Sequence, residues 1–371
     1  MLYLVDICCK ADLTNGVNIV SKAVPAKTTM SILQCILIKA EKGKITLTGN
    51  DGELGIETVV NGEIIEEGNV ALDAKFFSEI VRKLPESQVT LDVASNFVTQ
   101  ITCEKAQFNL IGKDGEDFTA LPKISKVDNV LISEFALKEV IRQTIFCLSD
   151  NNVNKLMCSE LFEINNDVLK VVALDGYRIA YRRIILKNTY PNIKVIIPGK
   201  TLNEIGRILS GDANKDVIIY FEKNHVLFEL ENTTIVSRLV EGQYFNYEQM
   251  LNHDYETKIV AKSKDLYESI DRGTLMLREG ESKPIIFDVN DGGIDLSIKT
   301  LFGEMKENVE AVKNGKDLSI AFRPKFFLDV LKVLDEEEIN LYMINAKSPC
   351  IIRDDDDSYN YFILPVNFIR E

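Results

Sequence analysis

The feature that most restricts the fold of this chain is a threefold internal repeat. The lysines at 75, 200 and 325 are separated by 125 residues twice over. Each follows a short apolar run and a turn-like break, and each opens an amphipathic stretch. The three passages are Val70-Ala71-Leu72-Asp73-Ala74-Lys75-Phe76-Phe77, Val195-Ile196-Ile197-Pro198-Gly199-Lys200-Thr201-Leu202 and Ile320-Ala321-Phe322-Arg323-Pro324-Lys325-Phe326-Phe327. The stretches that follow keep one apolar register: Phe77, Ile80, Val81 and Leu84, then Leu202, Ile205 and Leu209 with Gly206 in the fourth place, then Phe327, Val330, Leu331 and Leu334. Residues three, four and seven apart share a helix face, so each stripe is suited to lie on a core.

A strand ending in a turn obeys the same period, at 45–51, 169–176 and 294–299. So does an earlier helix in each unit, at about 14–24, 134–148 and 262–277. Alternating segments between them, such as 89–93, 217–221 and 341–344, read as antiparallel strands, with tight turns at Lys42-Gly43 and at Asn290-Asp291-Gly292-Gly293. Each unit is therefore expected to be α+β, two helices packed on about eight antiparallel strands. A period of 125 is too long for a solenoid, whose units run to about 20–50 residues. Three tandem similar domains are expected, at 1–125, 126–254 and 255–371, each large enough for its own core.

The chain has 371 residues, 46% of them hydrophobic and 27% charged, which excludes wholesale disorder. Its net charge of −14 argues against indiscriminate adhesion to nucleic acid or anionic membrane. No apolar run reaches the roughly 18 residues of a membrane span. The start, Met1 to Asp6, lacks the pattern of a signal peptide. Seven scattered cysteines without a Cys-x-x-Cys pair suit a reduced, cytoplasmic protein.

The catalytic signals are weak. Pro198-Gly199-Lys200-Thr201 imitates a phosphate loop, but Lys194 stands where the motif needs another Gly, and the other two repeats lack Gly-Lys-Thr. It reads as a strand-to-helix turn. The two histidines, His225 and His253, have no Cys or His at metal-ligand spacing. Asp354-Asp355-Asp356-Asp357 suggests a calcium loop, but Tyr359 occupies the position of the required Gly, so a solvated acidic turn is expected. No metal, cofactor or catalytic residue is expected. Charge placement says more. Over generous helix ranges (14–27, 73–84, 134–148, 199–209, 262–278 and 322–334) none is net negative, although the chain is strongly acidic. Cations gathered on one surface would attract a polyanion through its phosphates without reading sequence.

Several segments, in this order and at these spacings, resemble the bacterial sliding clamps, the beta subunits of DNA polymerase III. They are 47–56 (Leu-Thr-Gly-Asn-Asp-Gly-Glu-Leu-Gly-Ile), 174–180 (Leu-Asp-Gly-Tyr-Arg-Ile-Ala), 197–204 (Ile-Pro-Gly-Lys-Thr-Leu-Asn-Glu), 237–242 (Ser-Arg-Leu-Val-Glu-Gly) and 363–366 (Ile-Leu-Pro-Val). The resemblance runs from end to end. It implies the DNA clamp fold, with two chains joined head to tail into a six-domain ring that surrounds double-stranded DNA, slides, and tethers the polymerase without catalysis. It implies as partners the polymerase III alpha subunit, the clamp loader delta subunit and other clamp-binding polymerases and repair proteins, in the cytoplasm at the nucleoid.

The resemblance also implies a pocket for partner peptides. It would be formed by Met157, Leu174, Gly176, Tyr177, Arg178, Ile179, Phe245, Gln249, Met250, Phe326, Pro349, Phe362, Leu364, Pro365 and Val366. Against the common family pattern, Leu174 replaces Thr, Tyr177 replaces His, Phe245 replaces Pro and Asn367 replaces Arg, and residues 368–371 extend the usual end. A narrower, more apolar pocket is expected. By the same mapping Lys27, Lys75, Lys200 and Lys325 face DNA. The ring contact pairs an edge strand near Phe108 to Ile111 with Leu275, Met276 and the strand from Glu304 to Val309 of the partner copy. The alternatives are a three-domain peptide-binding scaffold that never holds DNA, and an enzyme hidden in an interdomain cleft.

Overall fold

A computed structural model describes residues 5–127, 129–149, 153–251, 254–278 and 283–368. The start of the chain before Val5, His253 and the last three residues lie outside the described residues. The contacts divide the chain into two compact units, residues 1–134 with 207–239, and residues 135–206 with 240–371.

The first unit holds two antiparallel sheets. One orders its strands Gly62–Glu66, Val5–Cys9, Gln88–Val93, Val98–Cys103 and Ala106–Ile111. The other has nine strands: Lys113–Asp114, Gly68–Asp73, Cys35–Glu41, Lys44–Asn50, Leu54–Val60, Thr233–Arg238, His225–Glu229, Asp216–Phe221 and Asn129–Ser133. This sheet crosses from one repeat into the next where Leu54 pairs with Ser237 and Thr58 with Thr233, the two threonine hydroxyls 2.8 Å apart. Backbone pairing thus ties strands of the central repeat into the same compact body as the first. The turn at Lys42-Gly43 takes left-handed backbone at both residues (φ 54° and 74°), as a two-residue hairpin requires.

The second unit is built the same way. Its seven-stranded sheet runs Ser159–Leu174, Arg178–Pro198, Tyr359–Ile363, Cys350–Arg353, Glu338–Met343, Thr257–Lys262 and Ala311–Gly315. The central and third repeats join where Arg178 pairs with Ile363 and Ile179 with Phe362. A four-stranded sheet, Gly303–Val309, Gly293–Thr300, Ile285–Asn290 and Leu318–Phe322, completes the unit. Phe287, Phe322 and Phe327 meet at ring separations of 4.9–5.4 Å in its core.

Among the described residues six α-helices carry the repeat: α1 (Lys10–Val20), α2 (Ala74–Lys83), α3 (Glu134–Arg142), α4 (Gly199–Ile208), α5 (Ser263–Thr274) and α6 (Pro324–Leu331). In α2 the Asp73 carboxylate accepts the Phe76 N–H at 3.0 Å and Arg82 and Lys83 fill the last turn, so both ends suit the helix dipole. In α6 Pro324 takes the first turn, where its missing N–H costs nothing.

Three expectations need correction. Helix α1 starts at Lys10 rather than near Thr14, because the Thr14 hydroxyl bonds back to the Lys10 carbonyl at 2.7 Å inside the helix instead of capping it. Helix α3 ends at Arg142, and a separate 3-10 turn, Ile145–Cys147, follows it. Helix α5 is net negative within its observed ends, since Asp265, Glu268 and Asp271 outnumber Lys264 and Arg272. The positive charge expected there comes from the flanking Lys262 and Arg278.

Candidate functional site

The strongest concentration of expected site residues lies in the second unit, around the turn between Leu174 and Ile179. One oxygen of Asp175 accepts the N–H groups of Tyr177 (2.9 Å) and Arg178 (3.1 Å), and Gly176 supplies the left-handed φ of 89°. The other Asp175 oxygen accepts Arg178 Nε at 2.9 Å. The Arg178 side chain, 4% exposed, also donates to Asp329 at 2.7 Å and to the Phe146 carbonyl at 2.6 Å. A buried guanidinium persists because two carboxylates and a carbonyl replace its water.

Beside this turn Leu174, Ile179 and Phe362 are buried in one apolar cluster with Leu161, Val172 and Ile351, and Met157 and Met250 pack on it half-buried. Tyr244 and Tyr247 anchor the segment that brings Met250. The Tyr244 hydroxyl lies 2.9 Å from the Ser159 carbonyl, and the Tyr247 hydroxyl donates to Glu163 at 2.8 Å. Burial pushes both phenols far above their usual pKa, so they remain donors. Phe245 and Gln249 on the same segment are exposed. The chain end closes this side: Leu364 N–H donates to the Tyr177 carbonyl at 2.9 Å and Val366 N–H to the Ala321 carbonyl at 2.8 Å, with half-buried Pro365 between. Pro349, also half-buried, precedes Cys350, which pairs with Ile363.

A column of rings and guanidinium groups adjoins the cluster. Tyr177 stacks on Phe326 with centroids 6.3 Å apart. Arg178 lies 4.5 Å from the Phe326 centroid on its side, and Arg323 lies 4.4 Å from the Tyr177 ring. The sequence reading named Tyr177, Arg178 and Phe326 but missed Arg323, Asp175 and Asp329. Their signal was present, since Arg323 sits two residues before the repeated lysine, but charge partners across a fold have no fixed spacing.

The arrangement is suited to taking up apolar side chains. It offers half-buried apolar and aromatic surface beside exposed Tyr177, Phe245 and Leu364, bounded by fixed charge, as a groove for hydrophobic anchors does. The described residues hold no group of three or more potential metal ligands. Asp354 serves its turn, accepting the Ser358 N–H at 2.8 Å. A Cβ on Gly199 would fall 2.1 Å from Leu148 Cδ1 and 2.9 Å from the Cys158 carbonyl oxygen, so close packing explains this glycine. His225 lies half-buried in a strand, paired with Arg238.

The remaining expected residues are spread out. Lys27 and Lys75 are exposed in the first unit and Lys200 and Lys325 in the second. Lys325 pairs with Asp329 at 2.9 Å, through the same oxygen that holds Arg178. Phe108 (40% exposed) and Ile111 (84%) lie on the edge strand Ala106–Ile111. Glu304 is exposed on Gly303–Val309, the edge of the four-stranded sheet, and Leu275 is exposed just past α5. Met276 packs on the core, and Val309 is buried within it, so that strand offers its backbone rather than Val309. Leu301 and Phe302, exposed at the turn leading into this strand, were missed. They are an apolar pair in a turn, with Arg278 3.7 Å over the Phe302 ring.

Comparison with known proteins covers the whole chain. The DNA polymerase III beta subunit pattern matches in three consecutive parts: its N-terminal domain at residues 6–122, its central domain at 131–246 and its C-terminal domain at 248–367. A beta sliding clamp of Staphylococcus epidermidis is 35% identical over 363 residues, covering 95% of this chain and 96% of that protein. A crystal structure from Eubacterium rectale described as a DNA polymerase III beta subunit superposes with a TM-score of 0.95 at 55% identity, over 98% of this chain and 99% of that one. The DNA polymerase sliding clamp of Bacillus subtilis gives the same TM-score at 32% identity, over 99% and 100%.

Proposed function

The chain belongs to the family of bacterial DNA polymerase III beta subunits, the sliding clamps, and on that premise we propose how its own residues carry out a clamp's work. Its function is that of a non-catalytic processivity factor in DNA replication. Two copies form a ring around duplex DNA, slide along it and hold the polymerase at the primer end. The observation that carries this is the run of all three clamp domains, in order, along one chain. It favours the clamp over a scaffold that never holds DNA and over an enzyme.

In the proposed mechanism the domains are 1–125, 126–254 and 255–371, and Lys27, Lys75, Lys200 and Lys325 meet the DNA backbone. Phosphate contacts from scattered lysines carry no sequence information and exchange readily with counterions, so they hold without arresting motion. Lys325 is a weakened contact, since Asp329 already shares its charge. The acidic remainder of the molecule repels DNA elsewhere. Partner proteins dock short apolar segments on the cluster of Leu174, Ile179, Met250 and Phe362, between Tyr177 and Leu364. These partners include the polymerase III alpha subunit, the clamp loader delta subunit and other polymerases and repair proteins, all in the cytoplasm at the nucleoid. Tethering raises the polymerase's effective concentration at the primer without tight DNA contacts.

Retention after loading tests the ring directly. The protein should remain on nicked circular DNA and be lost within minutes when that DNA is linearised, because a ring leaves through a free end. Equal loss from both would refute encirclement.

A further inference from the structure

We propose that Arg323 sets the charge preference of the peptide pocket, by taking an Asp or Glu side chain that lies beside the apolar anchors of the bound segment. The inference rests on the peptide-pocket reading above and adds the chemistry of the occupant.

Two guanidinium groups face the aromatic pair Tyr177 and Phe326, and they differ in one respect. Arg178 is spent: Nε and both terminal nitrogens donate to Asp175, Asp329 and the Phe146 carbonyl. Arg323 lies over Tyr177 at 4.4 Å and over Phe326 at 5.5 Å, half-buried, and among the described residues it has no carboxylate in ion-pair contact. Its five N–H donors are available.

The guanidinium is also held in place. Arg323 precedes Pro324 at the start of α6, and its carbonyl accepts the Phe326 N–H at 3.1 Å. Two residues earlier the Ala321 carbonyl holds Val366, and the Tyr177 carbonyl holds Leu364. Arg323 therefore stands at the rim where Tyr177 meets the chain end, next to the surface that an apolar anchor would cover. The nearby carboxylates are already compensated: Asp175 by Arg178, and Asp329 by Arg178 and Lys325. That leaves a net positive charge at the rim of a pocket in a chain of net charge −14. A fork of donors on an aromatic face matches a carboxylate in both geometry and sign. A side chain, rather than a chain terminus, is the source that fits a segment running across Tyr177 with anchors seated beside it.

The test uses the full-length clamp and an amidated, fluorescein-labelled peptide of about ten residues from a polymerase it binds. Asp, Asn and Lys are placed in turn at each position flanking the apolar anchors. At one position Asp should bind about fivefold tighter than Asn, and Lys more weakly than Asn, near 50 mM salt; the difference should shrink below about twofold near 500 mM. R323Q should bring the Asp-to-Asn ratio to about one, and R323K should keep part of it. No flanking position preferring Asp, or a preference that survives R323Q, overturns the assignment. L364A separates the two levels. If it weakens Asp and Asn peptides alike while no Asp preference exists, Arg323 alone is misassigned. If it leaves both unchanged, the pocket reading falls, and this inference with it.

Discussion

Met250 and Leu364 share a neighbourhood but sit differently, Met250 half-buried on the apolar cluster and Leu364 36% exposed beside Tyr177. Truncating either to Ala removes apolar area that a bound segment would cover, and should weaken partner peptides by about 1–3 kcal/mol with little change in fold stability. Calorimetry with a polymerase-derived peptide reads this directly. Glu160 behaves otherwise. It is fully buried, with one oxygen accepting the Thr144 hydroxyl at 3.0 Å and the other without a hydrogen-bond partner among the described residues. Burial raises its pKa from 4.5 to about 8, against the smaller opposing effect of the Thr144 bond. A carboxyl raised on folding gives stability that is complete below the unfolded pKa and is lost as pH rises through the folded one. Wild-type stability should therefore fall from about pH 5 to pH 8, and Glu160→Gln should flatten that slope, the difference growing by about 2 kcal/mol between pH 6 and pH 8. Urea melts across that range check it, and parallel pH profiles for the two proteins would contradict it.

At the level of elements, the repeat made the strands and helix faces legible, because period and burial are local properties. The strand expected at 89–93 appears as Gln88–Val93 and that at 217–221 as Asp216–Phe221. Helix ends were less legible: Thr14 has a capping residue's chemistry, but Lys10 is already tied to the Ser87 carbonyl, so the helix begins before it. Most members of the proposed pocket could be named from sequence, Arg178 among them, whereas the carboxylates that hold Arg178 could not. Asp329 lies 151 residues from Arg178 and enters only through the packing of α6 on the sheet turn. One oxygen of Asp329 serves both Arg178, almost fully buried, and Lys325, 72% exposed. Removing the carboxylate should therefore cost far more than removing the lysine. Asp329→Asn leaves a buried guanidinium short of compensation and should destabilise by about 2 kcal/mol, and Lys325→Ala by no more than about 0.5 kcal/mol. Denaturant midpoints at constant slope separate them, and equal effects would show that Asp329 does not hold Arg178.

For the whole molecule, two of the sheet-edge strands among the described residues carry or adjoin exposed apolar side chains: Ala106–Ile111, with Phe108 and Ile111 exposed, and Gly303–Val309, with Leu275, Leu301 and Phe302 exposed nearby. Long unpaired edges with apolar side chains invite pairing with another copy. The head-to-tail arrangement proposed for the ring joins one kind of edge to the other, so a closed pair contains the same contact twice. A change at that contact therefore counts twice in the dimer and not at all in the fold of one chain. Ile111, 84% exposed, is the position where this separation is widest. Ile111→Asp should leave the melting of the isolated chain within about 0.5 kcal/mol of wild type. Burying its unpaired carboxylate should cost about 3 kcal/mol at each contact, about 6 kcal/mol per ring, or about four orders of magnitude in dimer dissociation constant. Sedimentation velocity at micromolar concentration should then find monomer where wild type is dimer, and the same variant should leave circular DNA as fast as linear DNA. An intact dimer at that concentration would show that the ring closes through some other surface.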